Sequence, residues 1–186
     1  AAAVRINEVI DTVPEITDAE NTKEDFTGKG YVEFKDVTFS YHGAEEPALK
    51  NISFSAKPGE VTAIIGSTGA GKSTLINLIP RFYDIASGSI LVDGVDVREI
   101  SQENLRDKIG FVPQKAVLFS GTITENIRFG NKNPTDAEIK HAAEVAQAAD
   151  FIEKIDGGYD HEIAQGGTNV SGGQKQRLSI ARALVR

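Results

Sequence analysis

Two apolar periodicities alternate along the chain. Tyr31-Val32-Glu33-Phe34-Lys35 and Val37-Thr38-Phe39-Ser40-Tyr41 alternate apolar and polar side chains, the period of a half-buried strand. The phase slips between Phe34 and Val37, which predicts a bulge at Lys35-Asp36. Leu49 to Ala56 predicts another strand, with Ile52, Phe54 and Ala56 on one face, and Lys57-Pro58-Gly59-Glu60 a turn after it. Val61-Thr62-Ala63-Ile64-Ile65 is a short apolar run that predicts a strand. Leu75, Ile76, Leu78, Ile79 and Phe82 then recur at helical spacing. Ser89 to Val97 predicts a hairpin turning at Asp93-Gly94. Ser101 caps a short helix carrying Leu105, and Ile109-Gly110-Phe111-Val112 predicts a buried strand running into Pro113-Gln114.

Beyond Gln114 the pattern is helical. Thr122 with Glu125 and Thr135 with Glu138 are capping boxes, each a Thr followed by Glu three residues on. The second opens a helix with Ile139, Ala142, Ala143, Ala146 and Ala149 on one face. Phe151, Ile152 and Ile155 belong to a further short helix before Asp156-Gly157-Gly158. Three helical segments without a strand predict a helical subdomain inserted into an α/β core. At the other end, Ala1 to about Asp11 predicts a short helix with Val4, Ile6, Val9 and Ile10, ended by Pro14. Glu15 to Gly30 is polar and without a period, equally a linker from something upstream or a frayed terminus.

Composition narrows this picture in three ways. A length of 186 residues suits one domain with a full core, or slightly less than one large domain. A net charge of −7 argues against a general nucleic-acid binder, and the lack of cysteine excludes disulfides and thiolate metal sites. The sequence has neither a long apolar run nor a signal-peptide pattern. It contains no Met and starts Ala1-Ala2-Ala3, which reads as a piece of a longer protein.

The chemistry centres on Gly66-Ser67-Thr68-Gly69-Ala70-Gly71-Lys72-Ser73, with Thr74 next. An apolar strand pattern precedes it and a helical one follows, the context in which G-x-x-x-x-G-K-[ST] means a phosphate-binding loop. Glycines let the backbone wrap an anion with N–H groups pointing inward, and the helix start adds unpaired N–H groups and the positive dipole end. Lys72 offers a point charge for β- and γ-phosphates, and Ser73 a hydroxyl for Mg²⁺. Tyr41 is by default a core tyrosine, or else a flat platform for a purine. Gln114, at a strand's carboxyl end, is a surface loop residue or a group facing a ligand. Val170-Ser171-Gly172-Gly173-Gln174 precedes Leu178, Ala181, Leu184 and Val185 at helical spacing, and Ser171 with Gln174 is again a capping box. Two glycines there are a poor choice for a helix alone, each costing roughly 1 kcal/mol relative to Ala.

With these motifs in this order, the sequence resembles the nucleotide-binding domain of ATP-binding cassette (ABC) transporters, from about Tyr31 to Arg186. The resemblance implies an α/β P-loop NTPase (RecA-like) core with an antiparallel β subdomain, over about 31–114, and a helical subdomain over about 115–186. Residues 1–30 become a linker from a membrane domain, with Asn7-Glu8-Val9-Ile10-Asp11 similar to the junction in fused exporters. Val170 to Gln174 resembles the family signature, with Val for the usual Leu, which touches ATP held by a second nucleotide-binding domain. Tyr41 falls at the adenine-stacking A-loop position and Gln114 at the Q-loop, which reaches Mg²⁺ and the attacking water. His161-Glu162-Ile163-Ala164-Gln165-Gly166 resembles the exporter X-loop, which contacts the membrane domain. His42, His141 and His161 match no family position and are expected to face solvent.

In the family, a strand ending in Asp then Glu follows the signature helix, then a D-loop and a histidine switch. None of these is among the 186 residues. The resemblance therefore implies a core lacking its C-terminal part, which binds ATP and by itself turns over none. The parent protein is implied to be a transport-coupled ATPase using ATP and Mg²⁺ at the cytoplasmic face of a prokaryotic inner or plasma membrane. A soluble ABC ATPase without a membrane domain, and a non-hydrolysing nucleotide-binding module, are the rival readings.

Overall fold

A computed structural model describes residues 2–23, 28–131 and 133–185. Ala1 of the expected first helix, residues 24–27 of the expected linker and Arg186 of the expected helical subdomain lie outside the described residues. The chain divides into two compact units, Ala1–Ile109 and Gly110–Arg186, each with its own core.

In the first unit, helix α1 (Ala2–Ile10) precedes a four-stranded antiparallel sheet of order β2-β1-β3-β4. The two alternating segments merge into one strand, β1 (Val32–Phe39), flanked by β2 (Leu49–Ala56) and β3 (Ser87–Val92). The bulge lies where the phase slips: the register shifts between Phe34 and Val37, and Asp36 takes a left-handed φ of 48°. A Cβ on Gly88 would collide with the Lys35 and Asp36 carbonyl oxygens, so that position of β3 must be glycine. Asp93 (φ 51°) and Gly94 (φ 83°) turn the chain from β3 into β4 (Val95–Asp96), both central residues left-handed as a type I′ turn requires. Phe34, Val37 and Ile90 from the sheet close over Leu78, Ile100 and Leu105, and Phe34 stacks on Phe54 at 4.7 Å.

Helix α2 (Lys72–Leu78) ends in a Schellman motif, with Arg81 N–H bonded to Leu78 O and Phe82 N–H to Asn77 O. The left-handed C′ position is Arg81 (φ 53°), not the usual glycine. After it, a 3₁₀ turn (Val97–Glu99) leads into α3 (Gln102–Arg106), capped by Ser101 Oγ. Residues 15–23 are tied to this face. Lys23 N–H donates to Glu99 O at 2.7 Å, Gln102 N–H to Asp18 Oδ1 at 3.0 Å, and Arg81 Nη2 to Thr17 O at 3.3 Å.

Two expected strands are absent among the described residues. Residues 61–65 and 109–112 run as irregular backbone, with Val61 99% and Ile65 93% exposed. A strand of this composition is held by ladders on both edges and covered on both faces, and among the described residues neither run is a strand of either sheet.

The second unit carries α4 (Ile123–Arg128), α5 (Asp136–Val145), α6 (Ala149–Lys154) and α7 (Gly172–Leu184). A two-residue ladder between β5 (Gly121–Thr122) and β6 (Glu162–Ile163), unforeseen in the helical pattern, pins the chain on either side of α4 to α6. Both threonine capping boxes form as expected. Helix α5 stops earlier than its pattern suggests. Gln147 (φ 56°) occupies the left-handed position of a second Schellman motif, so Ala148, not Ala149, enters the core beside Ala142, Ala143 and Ala146. Asn126, 2% exposed, organises the loop before α4: its side-chain amide donates to Phe119 O and Thr122 O while its oxygen accepts from Phe119 N–H and Arg182 Nη2. No described helix is long and apolar enough to cross a membrane.

Candidate functional site

The glycine loop and α2 form a single cradle in the first unit. Gly69 and Gly71 both take φ 85°, a conformation that L side chains rarely adopt, and Leu75 N–H bonds Gly71 O to open α2. The space is as demanding as the dihedral at Gly71, where a Cβ would lie 2.7 Å from Leu49 Cδ2 and 3.1 Å from Ala48 O. Lys72 Nζ folds back over the loop and donates to Gly66 O at 2.8 Å and Ser67 O at 2.6 Å. Ser73 is exposed at the first turn of α2, and Thr74, 8% exposed, is buried behind it. Tyr41, Ala48 and residues 69–74 line one cavity of about 260 Å³.

Tyr41 is neither a core residue nor a free platform. The residue is 39% exposed, its hydroxyl shares a 2.9 Å hydrogen bond with Thr74 Oγ1, and Phe39 and Tyr83 meet its ring edge-on. Lys72, Ser73, Thr74 and Tyr41 thus lie together around one cavity. Gln114 is exposed on irregular backbone and belongs to the other unit.

The second candidate lies at the start of α7. Ser171 Oγ accepts from Gln174 N–H at 3.3 Å while Gln174 Oε1 accepts from Ser171 N–H at 2.8 Å, and Val170 packs into the core. Gly172 and Gly173 are exposed, with ordinary negative φ, and a Cβ on either would meet nothing within 4 Å. The preceding loop is braced to this helix start. Lys175 Nζ donates to Gly166 O at 2.9 Å, Asn169 Nδ2 to Glu162 O at 2.7 Å, and Ala164 N–H to Asn169 Oδ1 at 2.9 Å. His161, expected in solvent, is half-buried, with Nδ1 2.8 Å from Asp156 O, while His42 and His141 are exposed.

Sequence reasoning missed two side chains that organise these surroundings. Arg81, 5% exposed, grips Asp84 through Nε at 2.7 Å and Nη2 at 3.0 Å, and that hydrogen bond raises its pKa further. Arg182 on α7 donates to Asn126 O and Val117 O and lies over the Phe119 ring, and burial lowers its pKa. No local pattern marks either one, because their partners are distant in sequence or set by a turn.

A glycine loop wrapped by its own lysine and opening onto a helix defines the P-loop class of nucleotide-binding folds. Residues 49–186 match the family model described as ABC transporter, and the chain belongs to that family. It is 48% identical to the ABC transporter ATP-binding protein YfiB of Bacillus subtilis (strain 168), over 100% of this chain and 32% of that protein. It is 44% identical to an ATP-dependent lipid A-core flippase of Syntrophus aciditrophicus (strain SB), over 100% of this chain and 31% of that one. The solved structure of a bacterial Atm1-family ABC exporter with ATP bound superposes with a TM-score of 0.92 at 41% identity, covering 98% of this chain and 32% of that one. The chain therefore spans about a third of the length of these relatives.

Proposed function

We propose that the chain is the ATP-binding part of the motor of an ABC exporter, and that the full-length protein hydrolyses ATP to drive export. The residues fit a nucleoside triphosphate: the cradle admits no side chain at Gly71, and a cation and a hydroxyl stand at its rim. In this reading the N–H groups of residues 66–74 donate to the phosphates, and the Lys72 ammonium offsets their charge. Ser73 holds Mg²⁺, which neutralises phosphate charge when bound. Tyr41 carries the base. These residues are assigned the binding of the nucleotide.

The observation that carries the two-domain part is the pair Gly172 and Gly173. Neither dihedral nor packing within the chain requires glycine there. Open glycines at a capped helix start suit close approach by an external anion. We assign that anion to ATP on the loop of a second nucleotide-binding domain, head to tail, with a transmembrane domain of the same transporter as the other partner. The flippase and exporter names of the relatives favour this over a soluble ABC ATPase, and support a location at the cytoplasmic face of a membrane.

Mixing two variants of the full-length protein tests the arrangement. A dimer of one Lys72→Ala and one Ser171→Ala subunit has one composite site with both defects and one with neither. Recovery of ATP-dependent dimer or hydrolysis relative to either variant alone is the expected result. If mixing restores nothing, or if Ser171→Ala already weakens ATP binding by the separate domain, the signature does not act in trans.

A further inference from the structure

Tyr83 lies outside every motif named above and does not line the cavity beside the glycine loop. It nevertheless completes a closed triangle of rings around Tyr41. The Tyr41 and Tyr83 centroids are 5.3 Å apart with planes at 85°, Tyr41 and Phe39 4.8 Å apart at 82°, and Phe39 and Tyr83 5.6 Å apart at 49°. Both near-perpendicular contacts have the geometry that aromatic quadrupoles favour. The remaining end of Tyr41 is fixed by its hydroxyl on the buried Thr74. Rotation of the Tyr41 ring plane leaves the hydroxyl on its axis and in place, so the plane itself is held by the edge contacts with Phe39 and Tyr83.

The backbone bearing Tyr83 is itself held. Arg81, in its left-handed conformation, bonds both carboxylate oxygens of Asp84 and so brackets Phe82 and Tyr83. Arg106 donates to Pro80 O and Arg81 O at 3.0 Å each, which fixes the start of the same turn. A left-handed arginine is an unfavourable choice where glycine would serve, and here its side chain supplies what glycine lacks. The result is a ring set on a stiff turn, aimed at the one aromatic side chain that edges the cavity.

We propose that Tyr83 is a positioning residue for the nucleobase: it fixes the plane of Tyr41, so that a purine stacks at a set distance from the phosphate cradle. The inference rests on the nucleotide-site reading above. Tyr83 touches neither base nor phosphate and acts only through Tyr41. Its hydroxyl is not part of the ring contacts, so phenylalanine suffices at this position.

The test is titration of the full chain with MgATP and, separately, with inorganic tripolyphosphate, which has the phosphates and no base. Tyr83→Leu is expected to weaken ATP binding roughly three- to ten-fold, the scale of an aromatic contact and a stacked base, with tripolyphosphate affinity unchanged. Tyr83→Phe restores ATP affinity. In a Tyr41→Ala background Tyr83→Leu has no further effect, because the two side chains act as one unit. Tyr83→Met replaces the leucine variant if the latter does not fold. Equal weakening of both ligands, unchanged ATP affinity, or losses that add in the double variant would overturn the inference. A wild-type chain that binds neither ligand, or binds both regardless of Lys72→Ala, defeats the nucleotide-site reading itself. The inference falls with it.

Discussion

At Gly71 a Cβ would lie 2.7 Å from Leu49 Cδ2, whereas at Gly172 and Gly173 it would meet nothing within 4 Å. The packing requires the first glycine and not the other two. Mutation separates these by readout: a side chain at 71 damages folding and binding together, and one at 173 leaves folding intact. Charge at the residue scale is organised most tightly at Asp96. Its carboxylate accepts from Arg98 N at 2.9 Å, Nε at 2.9 Å and Nη2 at 2.7 Å. Burial pushes its pKa up, but the hydrogen bonds from Arg98 outweigh that and hold it below the usual range. A carboxylate depressed in the folded state stabilises above its unfolded value, about 3.9, and loses that contribution as pH falls through the depressed folded value. Thermal unfolding should therefore find wild type more stable than Asp96→Asn at pH 7, with the gap closing only on acidification below about pH 4. A gap independent of pH would mean that the carboxylate's charge contributes nothing.

Among the elements, legibility follows the range of the interaction that fixes each one. The capping boxes at Thr122, Thr135 and Ser171 and the Asp93-Gly94 turn were readable because cap and partner lie within three residues. The bulge at Asp36 was readable from a phase slip. The ends of α2 and α5 were not, because Arg81 and Gln147 stand where a left-handed glycine would have signalled a stop. The runs 61–65 and 109–112 read as strands since apolar sequence reports an environment, and among the described residues neither run is a strand of either sheet. The left-handed glycines of the loop before α2 were legible for the same local reason as the caps, whereas the Tyr83 contact is tertiary and left no trace in spacing. One stop offers a direct check. Gln147 is exposed and its Nε2 bonds only the nearby Glu144 O, so Gln147→Gly should relieve its left-handed strain. We expect a gain of about 0.5–1 kcal/mol in unfolding free energy. A loss of that size would mean the Glu144 contact outweighs the strain.

For the molecule as a whole, the two units have separate cores, one under the β1 sheet and one among α4 to α7. The first carries the cradle and the second the open glycines of α7. Val61 and Ile65 precede the cradle almost fully exposed, yet Gly69, Gly71 and Lys72 still adopt the phosphate-loop arrangement. The cradle is thus held within the first unit, by its own glycines and by Leu49 and Ala48 behind Gly71. That placement makes the central claim accessible to one measurement, calorimetric titration of MgATP into the 186-residue chain and into Lys72→Ala. Saturable binding of one ATP per chain, lost in the variant while its circular dichroism spectrum is unchanged, is the predicted result. Equal ATP binding by both proteins, or none by a folded wild-type chain, would contradict the account.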